Sequence, residues 1–435
     1  MNSETPARKA GPRPGVVRPF IPPYMIVIAA AIVMVLLPQI FSSGLALSTM
    51  CLMGITIIFA LSYNMLLGQT GMLSFGHAVY FGLGGFLTAH MVNFARASDA
   101  PLPLWVFPIV GGLTGLAFGI IFGAVSTRRA GTAFAMITLG IAELVASSAL
   151  ILRPIFGGEE GITINRTKLV HLFGWSFGPQ LQVYFLIAIW CLVAAVLMYA
   201  ITRTPFGRIS NAVRDNPARV RFIGYNTSVV RFIAFAMSGF FAGIAGGLAT
   251  VNFEIVNFSQ MGAAQSGSVI LMTFIGGVGN FAGPIIGAVL VIYLQVMLSD
   301  ITGVWQLYFG LLFIGMVMYA PEGIAGLIAK QRPLLQNRQF GRVLPHYLMA
   351  LIPGLVAIAG LSLLIEIAFQ LTVNAPDGPA MSFARIPFDA DNPLAWLIGI
   401  ALLIGGGYVF RRLGQNALDA YGEALAASKR RELST

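Results

Sequence analysis

Few side chains in this sequence can do chemistry, and they fall in two intervals and one isolated position. The first interval, LLGQTGMLSFGHAVYFGLGGFL at 66–87, sets Gln69, Ser74 and His77 among Gly68, Gly71, Gly76, Gly82, Gly84 and Gly85. Glycine and polar residues together at the start of an apolar run point to broken backbone beside a cavity, as transporters build around their substrates. A lone histidine also packs, satisfied, inside many cores, so His77 keeps both readings. The isolated position is Glu143, well inside AFAMITLGIAELVASSALIL. A carboxyl at mid-span costs about 2–3 kcal/mol to insert. Glu143 is therefore expected to face other helices or a water-filled path, as a gate or as a hydrogen-bonded lock. These four residues are the candidates for a substrate path.

The second interval, TRTPFGRISNAVRDNPARVRFIGYNTSVVR at 202–231, holds six arginines and one acid, Asp215. Pro205 stands where it can open a helix, and Pro217 breaks the pattern after Arg214-Asp215-Asn216. A second short helical turn over Ala218–Ile223 would end at Gly224, which suits a C-cap. A helix–break–helix between two apolar runs is a docking surface for another protein. The competing reading is a solvated basic loop that only obeys the topology rule.

Other chemistry is missing from the sequence. No Gly-x-x-x-x-Gly-Lys-[Ser/Thr] occurs, and none of the lysines at 9, 168, 330 and 429 precedes Ser or Thr. No ATPase activity is expected of the chain itself. No His-Glu-x-x-His zinc motif is present. Cys51 and Cys191 lie in apolar runs, and the histidines at 77, 90, 171 and 346 are scattered. Neither a disulfide framework, nor a metal site, nor catalytic residues are expected.

The elements that must position these residues are membrane spans. Of 435 residues, 57% are hydrophobic and 10% charged, with mean hydropathy +0.83, which excludes an ordinary soluble domain. The fold class is an all-α, polytopic transmembrane bundle of about ten core spans plus two C-terminal spans. Spans are predicted near 22–41, 45–67, 72–92, 104–126, 131–152, 180–202, 231–253, 263–277, 283–299, 304–320, 344–371 and 394–410. With both termini cytoplasmic, only Arg96, Arg153, Arg166, Lys168 and Arg385 of the 26 basic residues fall outside. That asymmetry supports the assigned sides and accounts for the net charge of +10 without nucleic acid. The segments 263–277 and 283–299 are short for two crossings and could instead form one re-entrant pair.

Organisation along the chain follows. Residues 1–20 read as a disordered basic cytoplasmic N-terminus, 21–330 as the transmembrane core with its loop at 203–230, and 331–343 as a cytoplasmic linker. Residues 344–410 add two spans, and 411–435 form a basic cytoplasmic tail. Glycines recur every fourth residue at 111, 115, 119 and 123, at 239, 243 and 247, and at 279, 283 and 287. That spacing makes smooth helix faces for close packing, or for helices that slide during a transport cycle.

Three stretches together resemble the M-type permease subunits of branched-chain amino acid ABC importers. They are GQTGMLSFGHAVYFGLGGFL, then RRAGTAFAMITLGIAE with FGGEEGI, then GRISNAVRDNPARVRFIGYNTSVVRFIAFAMSGFFAGIAGGL continuing to LMTFIGGVGNFAGPIIGAVL and MYAPEGIAGLI. The resemblance covers about 45–330. It implies a multi-pass protein of the bacterial inner membrane, partnered by an H-type permease, two ATPase subunits that bind the ATP, and a periplasmic binding protein. It also implies that 203–224 holds a coupling helix inserted in an ATPase cleft. Arg208, Asn211, Arg214, Asp215, Pro217, Arg219 and Gly224 are the candidate coupling residues. Ser268 stands where the family often has an acid, and Glu322 where a basic residue is common. Branched-chain or other small amino acids are the expected substrates. Urea and short amides, carried by similar permeases, stay open as alternatives, and so does an ion-coupled secondary transporter.

Overall fold

A computed structural model describes residues 23–98, 102–169, 175–336, 339–373, 378–383 and 386–434. The N-terminal segment 1–20, His171 and Arg385 lie outside the described residues. The first five long helices are α1 (Pro23–Ile40), α2 (Gly44–Thr70), α3 (Ala78–Ala97), α4 (Phe107–Ser126) and α5 (Thr132–Ile151). A single turn, α6 (Arg153–Phe156), and a short strand, β1 (Ile162–Thr163), lead to α7 (Gln180–Arg203). Two short helices, α8 (Pro205–Asp215) and α9 (Pro217–Phe222), precede α10 (Thr227–Phe253) and β2 (Ile255–Val256). Then come α11 (Ala263–Gly276), α12 (Ala282–Ser299), α13 (Trp305–Tyr319), α14 (Gly323–Gln336) and α15 (Phe340–Thr372). A hairpin of β3 (Ala380–Phe383) and β4 (Ile386–Asp389) leads to α16 (Pro393–Ser434). Among the described residues nine helices are long and apolar enough to cross a membrane, or ten if α13 and α14, bent by 43°, count as one.

The core is built around α10, which packs most extensively on α4 and then on α3 and α2. The glycine spacing explains the closeness. A methyl on Gly84 would stand 2.7 Å from the Gly243 Cα, and one on Gly111 only 2.5 Å from the Gly243 carbonyl oxygen. Gly111, Gly115 and Gly119 of α4 thus face Gly239 and Gly243 of α10 backbone to backbone.

Three features differ from the sequence reading. Residues 71–77 are not helical, so the span expected from 72 begins at Ala78. The interval 331–343, read as a linker, is largely helical. Leu334 and Val343 are buried with Ala424 of α16, and that packing outweighs the polar composition. The tail after 410 is likewise the continuation of α16 rather than a separate segment. The hairpin of α15 and α16 packs chiefly on itself. It is joined to α13 by the Tyr308 hydroxyl, which donates to Glu366 Oε1 at 2.9 Å.

Candidate functional site

The 66–87 interval folds around a helix end. Gly71, at φ +70°, closes α2, a backbone angle that a side chain would strain. The amides of Gly71 and Met72 reach back to the carbonyls of Leu67 and Leu66. The chain then runs extended into the bundle and meets Ser62, which lies eight residues before the end of α2. At 1.5 Å per residue, α3 starts about 12 Å inside that end. Its first amide, on Ala78, donates to Ser266 Oγ in the first turn of α11 at 3.0 Å. Two helix N-termini therefore meet within the bundle. α11, with 14 residues, is about 21 Å long and does not cross a hydrocarbon core of about 30 Å. Of the two arrangements open for 263–299, one full crossing by each segment is excluded for α11.

His77 is sealed here. It is 1% exposed, stacks on Phe59 at 5.4 Å and meets Tyr63 edge-on at 5.3 Å. Ser62 Oγ donates to the Phe59 carbonyl at 2.7 Å, so His77 Nε2, 2.9 Å away, must be the donor to Ser62 Oγ. His77 Nδ1 and the neighbouring Ser74 Oγ are buried without a hydrogen-bond partner. Gln69 is buried in the last turn of α2. The Phe75 amide donates to Thr138 Oγ1 of α5 at 3.2 Å, which ties the broken segment to the helix that carries Glu143.

Glu143 itself behaves differently from its sequence expectation. It is exposed and makes no hydrogen bond or ion pair within the described residues. The buried face of α5 is Phe134, Ala135, Thr138, Ala142, Val145 and Ala149. Met136, Gly140, Glu143, Leu144 and Ser147 lie on the other side, open to whatever surrounds this chain. Among the described residues Glu143 therefore makes no hydrogen-bonded lock.

The basic loop folds as a helix–break–helix. Thr204 caps α8, its hydroxyl accepting from the Gly207 amide at 3.4 Å, with Pro205 in the first helical position. Asn216 caps α9, accepting from the Arg219 amide at 3.0 Å, with Pro217 next. Gly224 ends α9 at φ +91°. Val213, Val220 and Val230 are buried together, with Phe206 and Ile209 against them, which holds the pair onto the start of α10. Phe222 is 90% exposed at the tip. Arg208 and Arg219 are exposed and form no ion pair among the described residues, and Asn211 is half-buried. Arg214 turns inward instead. Its Nη1 donates to the Gly68 carbonyl at the end of α2, and its Nε pairs with Asp215 Oδ1 at 3.0 Å. Arg214 is thus held within its own chain, by a helix C-terminus and the adjacent Asp215.

That contact was not legible in the sequence, and neither was a second one beside it. Asn64 Oδ1 accepts from the Gly279 amide at 3.2 Å, and Asn64 Nδ2 donates to the Asn280 carbonyl at 3.4 Å. The end of α2, the turn before α12 and α8 thus form one junction. On the opposite face, Arg166 donates to the carbonyls of Phe177 (2.8 Å) and Asn252 (3.0 Å) and pairs with Glu254 at 3.3 Å. Its place among the few basic residues outside the charge pattern was the available signal.

The family described as branched-chain amino acid transport system, permease component, matches residues 45–321. The high-affinity branched-chain amino acid transport system permease protein LivM of Salmonella typhimurium is 26% identical over 73% of this chain and 78% of its own length. A probable LivM of Methanocaldococcus jannaschii is 25% identical over 62% and 90%. The ribose import permease protein RbsC of Haemophilus influenzae is 27% identical over 65% and 86%. No solved structure matches the chain. The match runs through the broken segment, the exposed face of α5, the α8–α9 pair and the junction at Asn64, and stops before α15. The chain belongs to the branched-chain amino acid transport permease family and is a multi-pass inner-membrane protein.

Proposed function

We propose that this chain is the M-type half of an ATP-driven importer for branched-chain or other small amino acids, delivered by a periplasmic binding protein. An H-type permease completes the pathway, and two ATPase subunits bind and hydrolyse the ATP. The observation that carries this reading is the hook of Arg214 from α8 onto the Gly68 carbonyl. A push on α8–α9 cannot be absorbed by a slack loop, because one end is packed on α10 and the other is held at α2. Phe222 at the tip, with Arg219 beside it, is the surface for an ATPase cleft with acidic walls. Displacement of α8 pulls on the residues just before the broken segment, and so on the start of α3.

The substrate would pass along the open side of α5, between this chain and its partner permease. Glu143 suits the ammonium group of an amino acid, and the N-terminal amides of α11, whose first residues Ala263 and Ala264 are exposed, suit its carboxylate. Urea carries neither charge, so this geometry favours amino acids over short amides.

The test is reconstitution of the complete complex in lipid with its binding protein. Leucine or a similar amino acid should stimulate ATP hydrolysis and enter the vesicles, and this chain alone should hydrolyse nothing above background. Uptake driven by an ion gradient without the ATPases would overturn the reading in favour of a secondary transporter. Stimulation by urea but by no amino acid would overturn the substrate assignment.

A further inference from the structure

Beside α8–α9, on the same face of the bundle, lies a cavity of about 760 Å³ that the coupling argument does not use. Four arginines line it: Arg128 and Arg129 from the turn after α4, Arg221 from α9, and Arg231 from the second turn of α10. No acid lines it, and none of the four forms an ion pair among the described residues. Arg231 Nε is buried without a hydrogen-bond partner, and the charge of Arg221 bears on it. Four like charges around one cavity repel each other, by about 1 kcal/mol per close pair even in water and more in a partly buried site. A topology rule explains why arginines sit on this face. It does not explain why four of them, drawn from three separate elements, converge on a shared space.

We propose that this cavity is a binding site for a phosphate-bearing anion, the headgroup of an anionic phospholipid in the adjoining leaflet. The guanidinium groups supply forked donors that match phosphate oxygens. Arg231 Nε supplies a donor with nothing else to bind. The setting favours a lipid over a free ion. Val125, one turn before Arg128, and Ile233, two residues after Arg231, are 63% and 39% exposed on helices that cross the membrane. Acyl chains have apolar surface to lie on directly below the charges. A lipid held here touches α4, α9 and α10 together, so it would stiffen the coupling element against the core. The inference stands on the cavity and does not depend on which substrate is carried.

The full chain, purified in detergent, is examined by native mass spectrometry and by thermal unfolding with phosphatidylglycerol or phosphatidylcholine added. The wild type should retain phosphatidylglycerol preferentially and unfold at a higher temperature in its presence. The double substitution Arg221→Gln/Arg231→Gln should weaken retention roughly 25-fold, about fivefold for each charge removed. Arg128→Gln/Arg129→Gln, in an exposed turn, should weaken it comparably and covers the case in which the first variant does not fold. Arg332→Gln, exposed on α14 away from the cavity, should change nothing. Equal retention of the two lipids by the wild type would overturn the proposal. Unchanged retention in a folded double variant would do the same. Displacement of the lipid by millimolar inorganic phosphate would show a free-anion site and overturn the lipid assignment. Protection of the four arginines by the ATPase subunit alone, with no lipid bound in its absence, would assign the cavity to protein contact instead.

Discussion

His77 and Glu143 are both ionisable side chains deep in apolar sequence, and the fold treats them in opposite ways. His77 sits between aromatic rings, 1% exposed, with one ring nitrogen donating to Ser62. Glu143 stands on an uncovered side of α5 and has no partner among the described residues. The difference follows from the helices that carry them. α3, α4 and α10 meet through glycine faces that exclude everything else, with α2 packed against α10, whereas α5 makes sparser contacts and leaves one side free. A polar group in the first region has only its own chain to turn to, and His77 Nδ1 and Ser74 Oγ find no partner among the described residues. A carboxyl in the second, costing about 2–3 kcal/mol against lipid, calls for water or another subunit.

The comparison breaks most visibly at the glycines. Gly243→Val should abolish the folded protein, because the added atoms meet the α4 backbone and overpacking there costs at least about 3 kcal/mol. Gly140→Leu, on the open side of α5 with nothing within 4 Å, should leave the isolated chain as stable as the wild type. Size-exclusion profiles of both variants check this. If the open side is covered by the second permease, Gly140→Leu should instead lower its co-purification. Equal loss of the isolated chain in both variants would erase the distinction between the two regions.

Arg214→Glu comes next, since it removes the hook on α2 and places a charge against a carbonyl and Asp215. Substrate-stimulated ATP hydrolysis by the complex should fall at least tenfold, with a stability loss of about 2 kcal/mol in thermal unfolding. Arg219→Glu, at an exposed position with no ion pair among the described residues, should reduce ATPase binding without the stability loss. Identical unfolding temperatures for both variants would contradict the inward and outward roles assigned to them.

At the open site, Glu143→Gln should keep most of the uptake by preserving size and hydrogen bonding, and Glu143→Leu should reduce it severalfold. Neither should shift the unfolding of the isolated chain by more than about 0.5 kcal/mol, as the side chain has no partner among the described residues. Complete, equal loss of uptake in both would favour proton coupling. The smallest effect is expected from His77→Phe, which forfeits one neutral hydrogen bond, about 1 kcal/mol, while Ser62 still donates to Phe59. An unfolding shift of about one degree with normal uptake would mark His77 as packing; lost uptake without an unfolding shift would return it to the substrate path.

Much of this was written locally in the chain. Apolar runs, with backbone hydrogen bonds that cannot be left open in lipid, determine helices. Pro205, Asn216, Pro217 and Gly224 determine the helix–break–helix through caps and a left-handed end, all within a few residues. Glycines four apart determine which faces pack closely, and so the α4–α10 contact was foreshadowed by its spacing. What the tertiary structure alone decided depends on partners far apart in sequence. That Arg214 finds Gly68, that Asn64 finds Gly279 and that Ser266 caps Ala78 are contacts across 146, 215 and 188 residues. Helical period cannot say whether Glu143 looks inward or outward, because an apolar helix has polar-free surface on every side and only its neighbours define an inside. For the same reason the arginines at 128, 129, 221 and 231 read as scattered positive charge until three elements fold them around one cavity.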